Sequence, residues 1–155
     1  MKENIKDRKI RKYGRVLFFL YLLLVIYFMF FAENLGRNII SEDYRYNLTP
    51  FKEINRFRGM LNGKMWYHAV INLTGNVICF IPIGLVLPLT GYYWKHFHRV
   101  FVFAITFSLM IEFTQLVCKV GSFDVDDIIL NTIGGIVGYI IYKISRKIYR
   151  MGDKR

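Results

Sequence analysis

The chain has 155 residues, 54% of them hydrophobic and 17% aromatic, and carries a formal charge of +11. That length predicts one domain, and the two cysteines, Cys79 and Cys118, form no CxxC pair, zinc spacing or disulfide framework. A nucleic-acid partner is excluded by where the charge sits: the basic residues gather at the two ends and beside long apolar runs, as in a membrane protein.

Residues 2–15 are basic, with Lys2, Lys6, Arg8, Lys9, Arg11, Lys12 and Arg15 against Glu3 and Asp7. Val16 to Ala32 then runs without a charge. A secretory signal peptide also has a basic start and an apolar core. Here Glu33, Asn34 and Leu35 follow in place of a small-x-small cleavage site, and further apolar spans come later, so the expectation is a retained first transmembrane helix. Residues 33–69 form a mixed-charge connection. Within it Thr49 is an expected N-cap and Pro50 the first helical residue. Phe51, Ile54, Phe57 and Leu61 share a helical apolar face, whereas Lys52, Glu53, Arg56 and Arg58 lie off it. Too charged to span, this stretch reads as a short amphipathic helix in the interface or packed on the membrane domain.

Val70 to Leu89 is the second expected span and contains Asn72, Asn76, Pro82, Gly84 and Pro88, with a bend expected near Pro82. The connection Thr90 to Arg99 is short and basic, and His96 and His98, two residues apart, read as part of a membrane-proximal turn. Val100 to Cys118 is the third span and holds Glu112 and Gln115. The fourth runs from Asp127 to Tyr142 and continues into Lys143, Arg146, Lys147 and Arg150. The fold class is an all-α integral membrane protein: a four-transmembrane-helix bundle with a short interfacial amphipathic helix between the first and second spans. A basic N-terminus (1–15) and a basic tail (143–155) flank a membrane domain at 16–142.

Four crossings put both ends on one side, together with the basic turn at 90–99. The positive-inside rule makes that side cytoplasmic. Asn72, Asn76, Glu112, Gln115, Asp124, Asp127 and Asn131 then all fall in the outer third, within about 10 Å of the outer surface.

Phe123 to Gly138 reads FDVDDIILNTIGGIVG. As one helix it sets Asp124, Asp127, Asn131, Gly134 and Gly138 on a single face, with Asp126 off it and the least expected of the three acids to matter. Gly134, Gly135 and Gly138, with Pro82 and Gly84 on the second span, read as close helix packing. Glu112 in hydrocarbon must be paired, protonated or wet. The resulting expectation is an outward polar pocket of Asn76, Glu112, Gln115, Asp124, Asp127 and Asn131. Glu112, Asp124 and Asp127 are the catalytic candidates and can also hold a divalent cation, although no metal motif is present. The competing reading is a hydrogen-bond network that only fixes packing; amides suit it, and three acids exceed it.

The blocks NLTPF (47–51), GNVICFIPIG (75–84), IEFTQ (111–115) and FDVDDIILNTIGG (123–135) resemble the VanZ-like family of bacterial membrane proteins, named for a teicoplanin-resistance protein. The resemblance covers residues 47–142, and its pattern falls on Asn47, Pro50, Phe51, Asn76, Phe80, Pro82, Gly84, Glu112, Gln115, Asp124, Asp127, Asn131 and Gly135. Family members often carry an arginine shortly before the first aspartate. Here Gly121 stands there, so either the pocket is more anionic or Lys119 or an arginine at 56–58 takes that role. The resemblance implies a cell-envelope protein linked to teicoplanin or lipoglycopeptide tolerance. Its partners would be membrane lipids and a lipid-linked envelope precursor or lipoglycopeptide. A membrane-embedded hydrolase or transferase using paired carboxylates is the alternative, and a small cation carrier the third.

Overall fold

The computed structural model describes residues 5–28, 44–60 and 66–152. The end of the expected first span (29–32), the start of the connection after it (33–43) and Leu61 lie outside these residues, as do the side chains of His68 and Asn72. Five α-helices are described: α1 (Ile5–Tyr27), α2 (Lys52–Met60), α3 (Trp66–Thr90), α4 (Phe97–Val117) and α5 (Val125–Gly152). A 3-10 turn at Tyr93–Lys95 links α3 to α4, and two short strands, β1 (Arg45–Asn47) and β2 (Ser122–Asp124), complete the chain.

Three of the helices contain stretches long and apolar enough to cross a membrane: Leu73–Thr90, Phe97–Val117 and Val125–Tyr149. Pro82 and Pro88 sit inside α3 without ending it. The last six residues before α5 depart from expectation. Ser122–Asp124 is a strand, so Phe123 and Asp124 lie off the helix they were assigned to, and α5 starts at Val125. It pairs in parallel with Arg45–Asn47, which places Asn47 opposite Asp124. The turn before it is a helix C-terminal motif: Lys119 adopts φ 55°, its N–H reaches Leu116 O at 3.1 Å, and the Val120 N–H reaches Gln115 O at 3.1 Å.

α3 is the hub, packed on α5 most extensively and on α1 and α2 as well, while α4 lies against α5. The directions follow from the pairings. Gly14 of α1 meets Leu89, and the Tyr21 hydroxyl donates to the Cys79 carbonyl at 2.6 Å, so α1 runs antiparallel to α3. Gly134 faces Val77 and Gly138 faces Ile81, so α5 runs parallel to α3. Gly135 faces Ala104, and Asn131 bonds Ser108, so α4 opposes α5. Consecutive long helices therefore alternate in direction. The core between them has two apolar centres, one around Phe80, Ile83, Ala104 and Ile111, the other around Leu87, Val100, Tyr139 and Tyr142.

Glycine makes the α3–α5 contact. A Cβ on Gly84 would lie 1.9 Å from Gly135 O, one on Gly134 2.2 Å from Val77 O, and one on Gly138 1.9 Å from Ile81 O. Backbone meets backbone here with no side chain between, the close approach that small residues permit where lipid removes the hydrophobic drive between helices.

Candidate functional site

At the end of the bundle where α5 starts, the structure gathers buried and half-buried polar side chains from five elements. Asp124 closes β2 and caps α5: its Oδ1 accepts the Asp126 N–H at 2.8 Å and the Asn47 amide at 3.1 Å. The Asp124 N–H is donated to Glu112 Oε2 at 2.9 Å. Glu112 is thus turned toward the head of α5, 2% exposed, where its lone pair meets a peptide donor that has no partner inside the helix. Asn47 is itself braced, its Oδ1 accepting the Thr49 N–H at 3.3 Å in a local Asx turn that leads into Pro50.

Asp126 is fully buried. Its Oδ1 accepts the Phe51 N–H, and its Oδ2 accepts the N–H groups of Glu53 at 2.8 Å and Ile54 at 3.2 Å. These are the N-cap, second and third donors of α2. One carboxyl group more than 70 residues away therefore does the work of a local capping side chain. This corrects the expected cap at Thr49. Phe51 stands at φ 65°, a left-handed conformation that breaks the helical path, so α2 starts at Lys52 and not at Pro50. It also reverses the ranking of the acids. Asp126, off the expected stripe, is the acid that holds the start of α2.

The stripe expected on α5 divides between two neighbours. Asp127 accepts a hydrogen bond from the Asn76 amide of α3, in line with Gly134 and Gly138. Asn131 turns with Gly135 toward α4, where its Nδ2 donates to the Ser108 hydroxyl at 2.9 Å. Asn131 is 1% exposed, and its Oδ1 has no partner among the described residues. Gln115 is buried one turn beyond Glu112, and its carbonyl takes part in the α4 C-terminal motif. Asn47, Glu112 and Asp124 thus form one network with Asp126, and Asn76–Asp127 and Ser108–Asn131 tie α5 to α3 and α4.

Asp124 Oδ1 and both oxygens of Asp126 accept backbone N–H groups, and Asp127 Oδ1 accepts the Asn76 amide. Among the described residues no three His, Cys, Asp or Glu side chains gather as a metal ion needs. Of the bases expected to replace the missing arginine, Arg56 pairs with Glu53 at 2.8 Å, and the Lys119 ammonium lies 4.8 Å over the Tyr44 ring.

Burial pushes the Asp124 carboxyl above the ordinary carboxylate range; its bonds from the Asp126 N–H and the Asn47 amide pull it part of the way back, and the charges of Asp126 and Glu53 add to the rise. The native state therefore holds a proton that the unfolded chain, with a value of about 3.9, has already lost. The contribution is fully present below that value and is lost as pH rises through the native one. Thermal unfolding followed from about pH 4 to pH 7 is expected to show this loss in the wild type. Asp124→Asn keeps a capping oxygen and should flatten the profile without unfolding the chain.

Apolar helices of spanning length, joined through glycine and carrying a buried polar cluster at one end, define a helical membrane protein. The chain belongs to the VanZ/LLP1 family, whose sequence profile matches residues 18–146. It is 34% identical over 138 residues to Protein VanZ of Enterococcus faecium, an alignment covering 86% of this chain and 76% of that protein. No solved structure matches it.

Proposed function

We propose that this protein is a cell-envelope membrane protein that contributes to teicoplanin or lipoglycopeptide tolerance, and that its polar end engages an envelope-lipid or glycopeptide head group. In this reading α1 is the first of four crossings, both chain ends are cytoplasmic, and the end bearing β1, β2 and α2 faces outward. The alternating helix directions and the basic turn at 90–99, one bundle length away from Asp124, support that topology.

The observation that carries the proposal is the clamp of α2 on Asp126. It holds Tyr46, Leu48 and Phe51, each more than half exposed, at the same end as the buried acids, beside the cations of Lys52, Arg56 and Arg58. Aromatic and basic groups together suit the head-group layer and an anionic, lipid-tailed ligand. The acids then act from beneath, as the support that keeps this surface in one conformation, while Asn47, Asn76, Gln115 and Asn131 hold the helices that carry them.

Two sets of variants test it. Glu112→Gln with Asp127→Asn disturbs the support, and Tyr46→Ser with Leu48→Ser alters only the surface. Both are expected to lower the teicoplanin concentration that cells survive to that of an empty-vector strain, with protein levels in the membrane unchanged. Full tolerance in the surface variant would overturn the assignment.

A further inference from the structure

The opposite end of the bundle carries a cavity that the polar cluster does not touch. It has a volume of about 550 Å³ and opens beside the turn between α3 and α4. Tyr93, Trp94, His98 and Arg99 line it near the turn, and Val102, Phe103 and Thr106 continue it along α4. Residues 99, 102, 103 and 106 follow helical spacing, so the groove descends one face of α4 for about 10 Å. Its polar part is at the helix end and its apolar part lies within the span.

The turn is built and not merely tethered. The Tyr139 hydroxyl donates to the Lys95 carbonyl at 2.9 Å, and Arg99 Nη1 donates to the Tyr93 carbonyl at 2.9 Å. The Arg99 guanidinium lies 3.7 Å over the Tyr93 ring, while Trp94 stands edge-on to Tyr93 and to Phe103. Arg99 is thereby fixed in place, and no carboxylate among the described residues pairs with its guanidinium. From Ile54 to Ile111 the chain contains no acid at all, and Lys95 adds a second cation over Tyr92.

We infer that this groove seats one anionic phospholipid of the leaflet at that end, with its phosphate on Arg99 and an acyl chain along Val102, Phe103 and Thr106. The charge is complementary only to an anion. A choline-type cation would need the Tyr93 face, which Arg99 already covers. A free phosphate would satisfy Arg99 and leave the apolar length of the groove empty. The site stands independently of the function proposed for the other end, since no residue is shared.

Native mass spectrometry of the full-length protein in detergent, titrated in turn with phosphatidylglycerol, phosphatidylcholine and inorganic phosphate, tests the inference. Retention of a single phosphatidylglycerol is expected, weakened about fivefold by Arg99→Ala, the loss of one cation at a lipid head group. Val102→Trp, which fills the groove and keeps every charge, is expected to weaken it as well. Circular dichroism confirms that both variants are folded, and Lys119→Ala at the far end should bind as the wild type does. Equal retention of phosphatidylcholine, undiminished binding in folded Arg99→Ala and Val102→Trp, or displacement of the lipid by inorganic phosphate would each overturn it. So would a dimer mass that disappears in Val102→Trp, because a second copy would then be the occupant.

Discussion

Adding one methyl group at Gly84 is expected to damage this protein more than most substitutions of far larger side chains. The new Cβ would sit 1.9 Å from Gly135 O, 2.7 Å from Tyr139 N and 2.9 Å from Gly135 C. All three atoms are backbone, so no rotamer change makes room; α3 and α5 must separate along the contact. Overpacking a tight core costs about 1–3 kcal/mol, and the backbone character of the clash puts Gly84→Ala at or above the top of that range. Gly138→Ala meets Ile81 O, Ile81 C and Leu85 N in the same way and should match it. Gly75→Ala is the control. It lies in the same helix with nothing within 4 Å of the added atom, and exchange of glycine for alanine in a helix is favourable by about 1 kcal/mol. Thermal unfolding in detergent should therefore place Gly84→Ala and Gly138→Ala well below the wild type and Gly75→Ala at or above it. A common midpoint for all three would show that the helices do not approach as described.

These positions were legible because their signal is local. Apolar runs mark α3, α4 and α5 to within a few residues, and Gly134 and Gly138, one turn apart, announce a smooth face before any partner is known. The division of that face was not legible, since α5 touches α3 with one side and α4 with the next; Asn131 belongs to the second, and Gly135 meets both, its carbonyl at Gly84 and its Cα at Ala104. The strands were hidden for a different reason. Three residues are too few to show a period of two, and the pairing of Arg45–Asn47 with Ser122–Asp124 spans 77 positions. Reading that stretch as helix carried Asp124 onto the wrong face and demoted Asp126. The available hint was at Phe51: a helix start with an aromatic residue at its cap position must find its acceptor elsewhere.

The loss of that acceptor is expected to separate local order from global stability. Asp126→Ala leaves the N–H groups of Phe51, Glu53 and Ile54 without their oxygens. Leaving a buried donor unmade costs about 1–3 kcal/mol, so three together, about 3–9 kcal/mol, would be comparable with the whole stability of a marginal domain. The chain has a cheaper response. α2 has only nine residues, Lys52, Arg56 and Phe51 are exposed, and its hold on the rest runs chiefly through Asp126 and a limited packing face on α3. Undocking returns the three donors to water and caps the loss at the free energy of docking. The unfolding midpoint of the bundle should then move little, while trypsin cuts at Lys52, Arg56 and Arg58 become rapid, because those sites are protected only while α2 is folded on the bundle. Asp126→Asn keeps one acceptor oxygen and turns an amide N–H toward the others, which predicts cleavage at an intermediate rate. Asp127→Asn, whose partner is Asn76 on α3, should leave it unchanged. Equal cleavage of wild type and Asp126→Ala would mean that α2 is held by its apolar face alone. If α2 is released as expected, the same variant displaces the exposed surface at Tyr46, Leu48 and Phe51, and any drug tolerance that depends on that surface should fall with the onset of cleavage and not with the melting of the bundle.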